Sequence, residues 1–198
     1  MTRLLVASRN AKKLAELRRI LAGAGLEVIG LADVPPFPEA PETGATFEEN
    51  AVAKARDAVA ATGLPTVADD SGIAIDALNG MPGVLSARWA GSAKDDAANL
   101  NLVLEQLADV PDERLTAAFV CASALVHPDG TEVVARGEWP GTIARKPRGT
   151  NGFGYDPIFV PAGETRTSAE LPAAEKDAVS HRGRALARLL PHLRALSG

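Results

Sequence analysis

Three observations predict an α/β protein with a mixed β-sheet flanked by helices. Early in the chain, short apolar runs bounded by polar residues alternate with segments whose apolar residues recur at helical spacing. A hairpin signal, Pro128-Asp129-Gly130, sits late between two extended runs, which a purely parallel sheet would not contain. The C-terminal part then returns to helical patterning. With 198 residues, 46% of them hydrophobic and 23% charged, the chain has enough material for one sizeable core and is short for two independent domains. A single domain over residues 1–198 is expected.

The elements follow in order. Leu4–Ala7 is a short apolar stretch between polar residues and reads as a buried strand. Leu14, Leu17, Ile20 and Leu21 share one helical face, with Asn10 placed to cap the helix and Gly23 and Gly25 placed to end it. Leu26–Leu31 is a second strand, followed by a loop from Asp33 to Ala45. Thr46-Phe47-Glu48-Glu49 fits a capping box and opens a helix to about Ala61. Thr66–Ala68 reads as a strand ending in Asp69-Asp70-Ser71-Gly72, and Ile73–Leu78 as a further extended piece. Ser92 or Asp95 starts a helix whose face is Leu100, Val103, Leu104 and Leu107. Leu115–Val126 and Glu132–Gly137 are the arms of the hairpin. The glycine-bearing loop Gly149–Asp156 leads into a strand over Pro157–Val160. Helices are expected around Ala169–Ala178 and from Ser180 to Leu196, the second kinked or shortened by Pro191.

Composition excludes several function classes. The net charge is −4, from 21 basic and 25 acidic residues, so a general electrostatic grip on nucleic acid is not expected. The single cysteine, Cys121, lies in an apolar run and rules out an internal disulfide framework or a multi-cysteine zinc site. No stretch approaches the ~18 apolar residues of a membrane span, and the first ten residues are too brief for a signal-peptide core. A soluble protein of a reducing cytoplasm is expected, without nucleic-acid or membrane partners.

Five places concentrate chemistry. At the first strand-to-helix turn, Ser8, Arg9, Asn10 and Ala11 lead into Lys12 and Lys13. A helix N-terminus presents unpaired N–H groups and suits phosphate. Lysines there oppose the dipole by about 0.3–1 kcal/mol each, a disadvantage that a bound polyphosphate would reverse. The spacing is not that of a Walker loop. At the strand end, Asp69 and Asp70 point to opposite faces if the backbone is extended, so one of them faces a given site. Such a carboxylate suits Mg²⁺ or the orientation of a water. On the helix opened by Thr46, Asn50 and Lys54 share a face, while Glu49 is occupied by the capping box. Phe153 and Tyr155 flank the glycines of the 149–156 loop, an arrangement suited to stacking on a base or to plugging a core. Ser180-His181-Arg182 places two cationic donors at a helix start, after Glu175-Lys176. There is no HExxH, CxxC or GxSxG motif, so serine and cysteine nucleophile classes lack support.

The stretches VASRNAKKLAEL, ETGATFEENAVAKA, ADDSGIAIDALNGMPGVLSARWAG, GTNGFGYDPIF and AELPAAEKDAVSHRGRAL, in this order, resemble the RdgB/Ham1 family, the inosine triphosphate (non-standard purine NTP) pyrophosphatases. The resemblance covers nearly the whole chain. It implies hydrolysis of ITP, dITP and XTP to the monophosphate and pyrophosphate with Mg²⁺, and an elongated two-lobed fold with a central cleft, in a homodimer. By position it implies that Ser8, Arg9, Asn10, Ala11, Lys12 and Lys13 form the triphosphate-binding turn and that Lys54 reaches the phosphates. It likewise gives Asp70 the roles of general base and metal contact, Glu42 a place at the metal, and Ser71 a substrate contact. Phe153, Gly154, Tyr155 and Asp156 match the base-facing loop, and Lys176, His181 and Arg182 match the residues that read the base edge. The sequence departs from the family at Arg9, where a glycine is common; a left-handed backbone there would strain an arginine. Two rivals remain at this stage: a Maf-like nucleotide pyrophosphatase of other base specificity, against which the SHR and FGYD segments argue, and a non-catalytic nucleotide sensor.

Overall fold

A computed structural model describes residues 2–38 and 41–196. Six strands form one sheet in the order β2-β1-β3-β4-β5-β6. They are β1 (Thr2–Val6), β2 (Leu26–Gly30), β3 (Thr66–Ile75), β4 (Thr116–Val126), β5 (Glu132–Ile143) and β6 (Phe159–Pro161). The helices are α1 (Ala11–Ile20), α2 (Phe47–Thr62), α3 (Asp96–Gln106), α4 (Ala173–Val179) and α5 (His181–Ala195). β1 pairs in parallel with β2 and with β3, whereas β5 and β6 are antiparallel, so the sheet is mixed as predicted.

The caps written in the sequence form. Asn10 accepts hydrogen bonds from the backbone N–H groups of Lys12 and Lys13, and Asp95 does the same for Ala97 and Ala98. Thr46 and Glu49 make the reciprocal capping box, which uses Glu49 structurally. The hairpin closes through the Asp129 side chain accepting from Thr131 N, with Gly130 at φ +89°.

Several expectations are corrected. Asp69 to Gly72 do not end a strand: β3 runs unbroken through them, because both flanks are apolar and buried. β5 extends past Gly137 to Ile143. The helix expected around Ala169–Ala178 is a 3₁₀ turn, Ser168–Glu170, followed by the short α4 after Pro172. Pro191 lies inside α5 without ending it.

The described residues divide into two compact units. Unit 1 comprises the chain up to Asp70, Cys121–Gly137, and the chain from Arg182; unit 2 comprises Ser71–Val120 and Glu138–His181. The boundaries fall inside β3, β4 and β5 and at the start of α5. In unit 1, β1 is buried on both faces: Leu4 and Val6 pack with Leu17 of α1 and Leu186, Leu189 and Leu193 of α5. Leu5 packs with Ile29 of β2 and Ala58 of α2. This is strand alternation with helices on either side. Unit 2 has its own core, in which Ile73, Leu100, Val103, Phe119, Trp139, Tyr155 and Phe159 meet.

One backbone approach in unit 2 admits only glycine. A Cβ on Gly72 would lie 2.3 Å from both the Gly83 carbonyl oxygen and Ser86 Oγ, and Ser86 Oγ accepts the Ile73 N–H at 2.9 Å. Gly72→Ala should therefore destabilise the protein by about 1–3 kcal/mol. Thermal unfolding should show a midpoint lower by several degrees, at about 2–4 °C per kcal/mol for a chain of this size. An unchanged midpoint would show that the strand can shift to make room.

Candidate active site

The adjacent aspartates of β3 face opposite ways, as an extended backbone requires. Asp69 is fully buried in unit 1. Its Oδ2 accepts from Lys13 Nζ at 3.1 Å and from Arg182 Nε and Nη2 at 3.3 and 3.4 Å. Arg182 is itself buried and completes its fork on Glu16 of α1. Four charged groups, two of each sign, are thus closed into one network. Burial alone would push the Asp69 pKa up; the positive charges of Lys13 and Arg182, with Lys54 further off, prevail and hold it well below the usual carboxylate range. Cys121, beside Asp69, has its thiol pushed up to about 12 by burial and is inert, in keeping with its apolar run.

Asp70 looks the other way. Its Oδ1 meets Lys54 Nζ at 3.1 Å and its Oδ2 accepts from Asn50 Nδ2 at 3.0 Å. Asn50 and Lys54 are one turn apart on α2, as their spacing predicts. Asn50 also accepts the Gly44 N–H at 2.8 Å, which ties the loop before α2 to the same point. That loop carries Glu42, whose Oε1 lies 2.5 Å from Lys54 Nζ, and the Asp69 carbonyl oxygen lies 3.2 Å from it. Burial raises the Asp70 pKa, and the Lys54 and Lys13 charges and the Asn50 hydrogen bond only partly offset it. For Lys54 the balance differs: burial lowers its pKa, but Asp70 and Glu42 outweigh burial and raise it.

At the first turn Ser8 is half-buried and its Oγ accepts the Asn10 N–H at 3.3 Å. Arg9, Asn10, Ala11 and Lys12 are exposed. Arg9 does not adopt a left-handed backbone, the only non-glycine residues at positive φ among those described being Asn79 and Lys94. Its guanidinium donates to the Phe37 carbonyl oxygen at 3.2 Å. The departure at this position is accommodated without strain.

Unit 2 gathers a second group. Asp156 is buried; it accepts from Lys176 Nζ at 2.6 Å, Ser168 Oγ at 2.6 Å and Phe153 N at 2.8 Å. Lys176 Nζ also stands 5.5 Å from the centre of the half-buried Phe153 ring. Gly154, at φ +60°, donates its N–H to Asp96 at 3.1 Å. Gly152, at φ +73°, is required by the chain itself, since a Cβ there would lie 2.0 Å from Asp156 Oδ2. Tyr155 belongs to the core and donates its hydroxyl to the Ser86 carbonyl at 2.8 Å, which leaves Phe153 as the loop's less buried ring. His181 is buried and stacks on Phe119 with centroids 4.8 Å apart. Ser71, half-buried, is the first residue of this unit.

The structure therefore brings Lys13, Lys54, Glu42 and Asp70 into unit 1, and Phe153, Gly154, Asp156, Lys176 and His181 into unit 2. Arg182, expected among the base-reading residues, is placed in the unit 1 network. The sequence singles out Asp69 and Asn50 without giving either a role, and does not point to Glu16, Asp96 or Ser168. Glu16 had a signal: it is an acid one turn from Lys13 on α1, beside the apolar Leu17. For Ser168 the sequence carries none.

Arg182→Met should cost about 3–5 kcal/mol in denaturant unfolding, because it leaves Asp69 and Glu16 buried without their shared cation. The acid limb has a definite sign. Asp69 has a folded pKa below its unfolded one, so its contribution is fully present above the unfolded value, near 4. That contribution is lost as the pH falls from there towards the folded value. Asp69→Asn should flatten this part of the stability profile; an unaltered slope would remove Asp69 as its source.

The model of the Ham1 family matches residues 4–192. A relative from Nocardia farcinica, named dITP/XTP pyrophosphatase, is 72% identical over 200 residues, covering 100% of this chain and 97% of its own. Among solved structures, the nucleoside-triphosphatase / dITP/XTP pyrophosphatase of Mycobacterium abscessus is 66% identical, with TM-score 0.78 over 96% of this chain and 100% of its own. A Ham1 protein from Coxiella burnetii is 45% identical, with TM-score 0.88 over 98% of this chain and 100% of its own. With its carboxylates, lysines and glycine loop placed as described, this chain belongs to the Ham1 family.

Proposed function

We propose that the protein is a nucleoside triphosphate pyrophosphatase that hydrolyses ITP, dITP and XTP to the monophosphate and pyrophosphate, removing non-standard purines from the nucleotide pool. What carries this reading is Asp70, a buried carboxylate with a raised pKa set against Lys54, in a chain of this family. The groups of unit 1 are suited to phosphates, and those of unit 2 to a purine.

Lys54 Nζ already marks a point where one cation is met by three oxygens: two carboxylates and a carbonyl. Oxygen donors in this number suit Mg²⁺, which takes its remaining ligands from water and phosphate. Glu42 and Asp70 would hold it, and it would supply neutralisation of the phosphate oxygens. Asp70 orients the attacking water towards the α-phosphorus and accepts its proton, a task that a raised pKa favours. Asn50 holds the other oxygen of Asp70 and so fixes the carboxylate plane. The N–H groups at the start of α1, with Ser8, Asn10, Lys12 and Lys13, bind the polyphosphate, and Lys13 and Lys54 meet charge that develops on its oxygens.

Purine choice follows from hydrogen-bond polarity. Hypoxanthine and xanthine carry an acceptor oxygen at position 6, whereas adenine carries an amino donor. Lys176, aimed by Asp156, and His181, held flat against Phe119, supply donors for that oxygen. The Phe153 ring stacks on the base. Mg²⁺ dependence, a homodimeric assembly and a cytoplasmic location belong to the same proposal. Among the described residues no helix is long and apolar enough to cross a membrane.

In pyrophosphate-release assays, kcat/KM for ITP and XTP should exceed that for ATP by about hundredfold or more. Equal values for ITP and ATP would overturn the base reading. Release of phosphate in place of pyrophosphate, or binding without turnover as in a sensor, would overturn the reaction assigned. Asp70→Asn should lower kcat by about 10²–10⁴-fold with KM changed only a few-fold. Undiminished turnover in that variant would remove Asp70 from its role.

A further inference from the structure

We infer that Lys54 and the divalent cation are alternative occupants of one oxygen cradle, so that the cation is admitted together with the triphosphate and not ahead of it. This rests on the reading of Glu42 and Asp70 as the metal-holding carboxylates. The ammonium lies 2.5 Å from Glu42 Oε1, 3.1 Å from Asp70 Oδ1 and 3.2 Å from the Asp69 carbonyl oxygen.

The cradle is fixed from three sides. Asp70 and the Asp69 carbonyl belong to β3, Lys54 to α2, and Glu42 to the loop before it. Asn50 joins all three parts, since it donates to Asp70 Oδ2, accepts from Gly44 N and sits one turn before Lys54. The oxygens are therefore held close whichever cation they face, while the lysine stem is the adaptable part.

Charge decides between the occupants. Two carboxylates and one ammonium sum to −1, and two carboxylates with a dication sum to zero. Ammonium and dication on the same oxygens would leave an excess of +1 in a half-buried site and repel at contact distance. A triphosphate removes the conflict: its oxygens offer Lys54 new acceptors within reach of a four-carbon stem, and the cradle passes to the dication. The lysine that meets the phosphates is thus the same group that withholds the metal site until phosphates are present.

Mn²⁺ binding followed by electron paramagnetic resonance tests this without turnover. In the absence of nucleotide, Lys54→Met and Lys54→Gln should each bind Mn²⁺ about tenfold or more tighter than the unaltered protein. Adding Asp70→Asn to either should abolish the gain. With the α,β-methylene analogue of ITP, the unaltered protein should bind Mn²⁺ in a ternary complex that Glu42→Gln weakens. Should both Lys54 variants bind Mn²⁺ no tighter than the unaltered protein, while Glu42→Gln still weakens the ternary complex, the competition is refuted and the metal-site reading stands. Should Glu42→Gln and Asp70→Asn both leave the ternary complex unaffected, the metal-site reading fails and this inference falls with it. Thermal unfolding of each variant separates a folding defect from a binding effect, and the glutamine variant retains a polar side chain on α2.

Discussion

An ionised carboxylate loses its hydration when buried, at a cost of several kcal/mol even after the protein relaxes, and β3 buries two in succession. Strand alternation sends Asp69 and Asp70 to opposite faces, so one set of cations cannot compensate both. Each face needs its own. α1 supplies Lys13 and the start of α5 supplies Arg182 on one side; α2 supplies Lys54 and Asn50 on the other. The positions of three helices in unit 1 are thus tied to one pair of residues, in addition to the apolar clusters that bury their faces.

The two faces are compensated to different degrees. Asp69 meets two cations at short range and stays ionised far into acid. Asp70 meets one ammonium that it shares with Glu42, and burial prevails over the pair. A carboxylate so poised is a better proton acceptor than its neighbour, although the two are consecutive in the chain. Lys54, pulled by two carboxylates, stays positive and remains available to an anion that can outbid them.

The same principle recurs in unit 2 on a smaller scale. Asp156 is buried, and Lys176, Ser168 and the Phe153 N–H saturate it. That saturation fixes the loop. The glycines at 152 and 154 serve the chain's own close approach and its left-handed turns before they serve any ligand. Phe153 is left less buried beside the Lys176 ammonium, and Tyr155 is drawn into the core, so two aromatic residues two positions apart have different tasks.

Caps, helix faces and the hairpin turn are local and were legible: Asn10, Thr46 with Glu49, Asp95 and Asp129 act within a few residues of their place in the chain. So was the opposition of Asp69 and Asp70, because alternation needs only an extended backbone. Long, idiosyncratic segments named the family and marked Asp70, Lys54 and Glu42 together. Tertiary structure alone decided that β3 runs on through the aspartates, since only burial by distant segments keeps that stretch extended. It alone placed Arg182 against Asp69 and Glu16, residues 113 and 166 positions away. The physical reason is range. Backbone hydrogen bonding and side-chain periodicity are set by neighbours in sequence, whereas the partner that neutralises a buried charge is whatever the fold brings within about 3 Å.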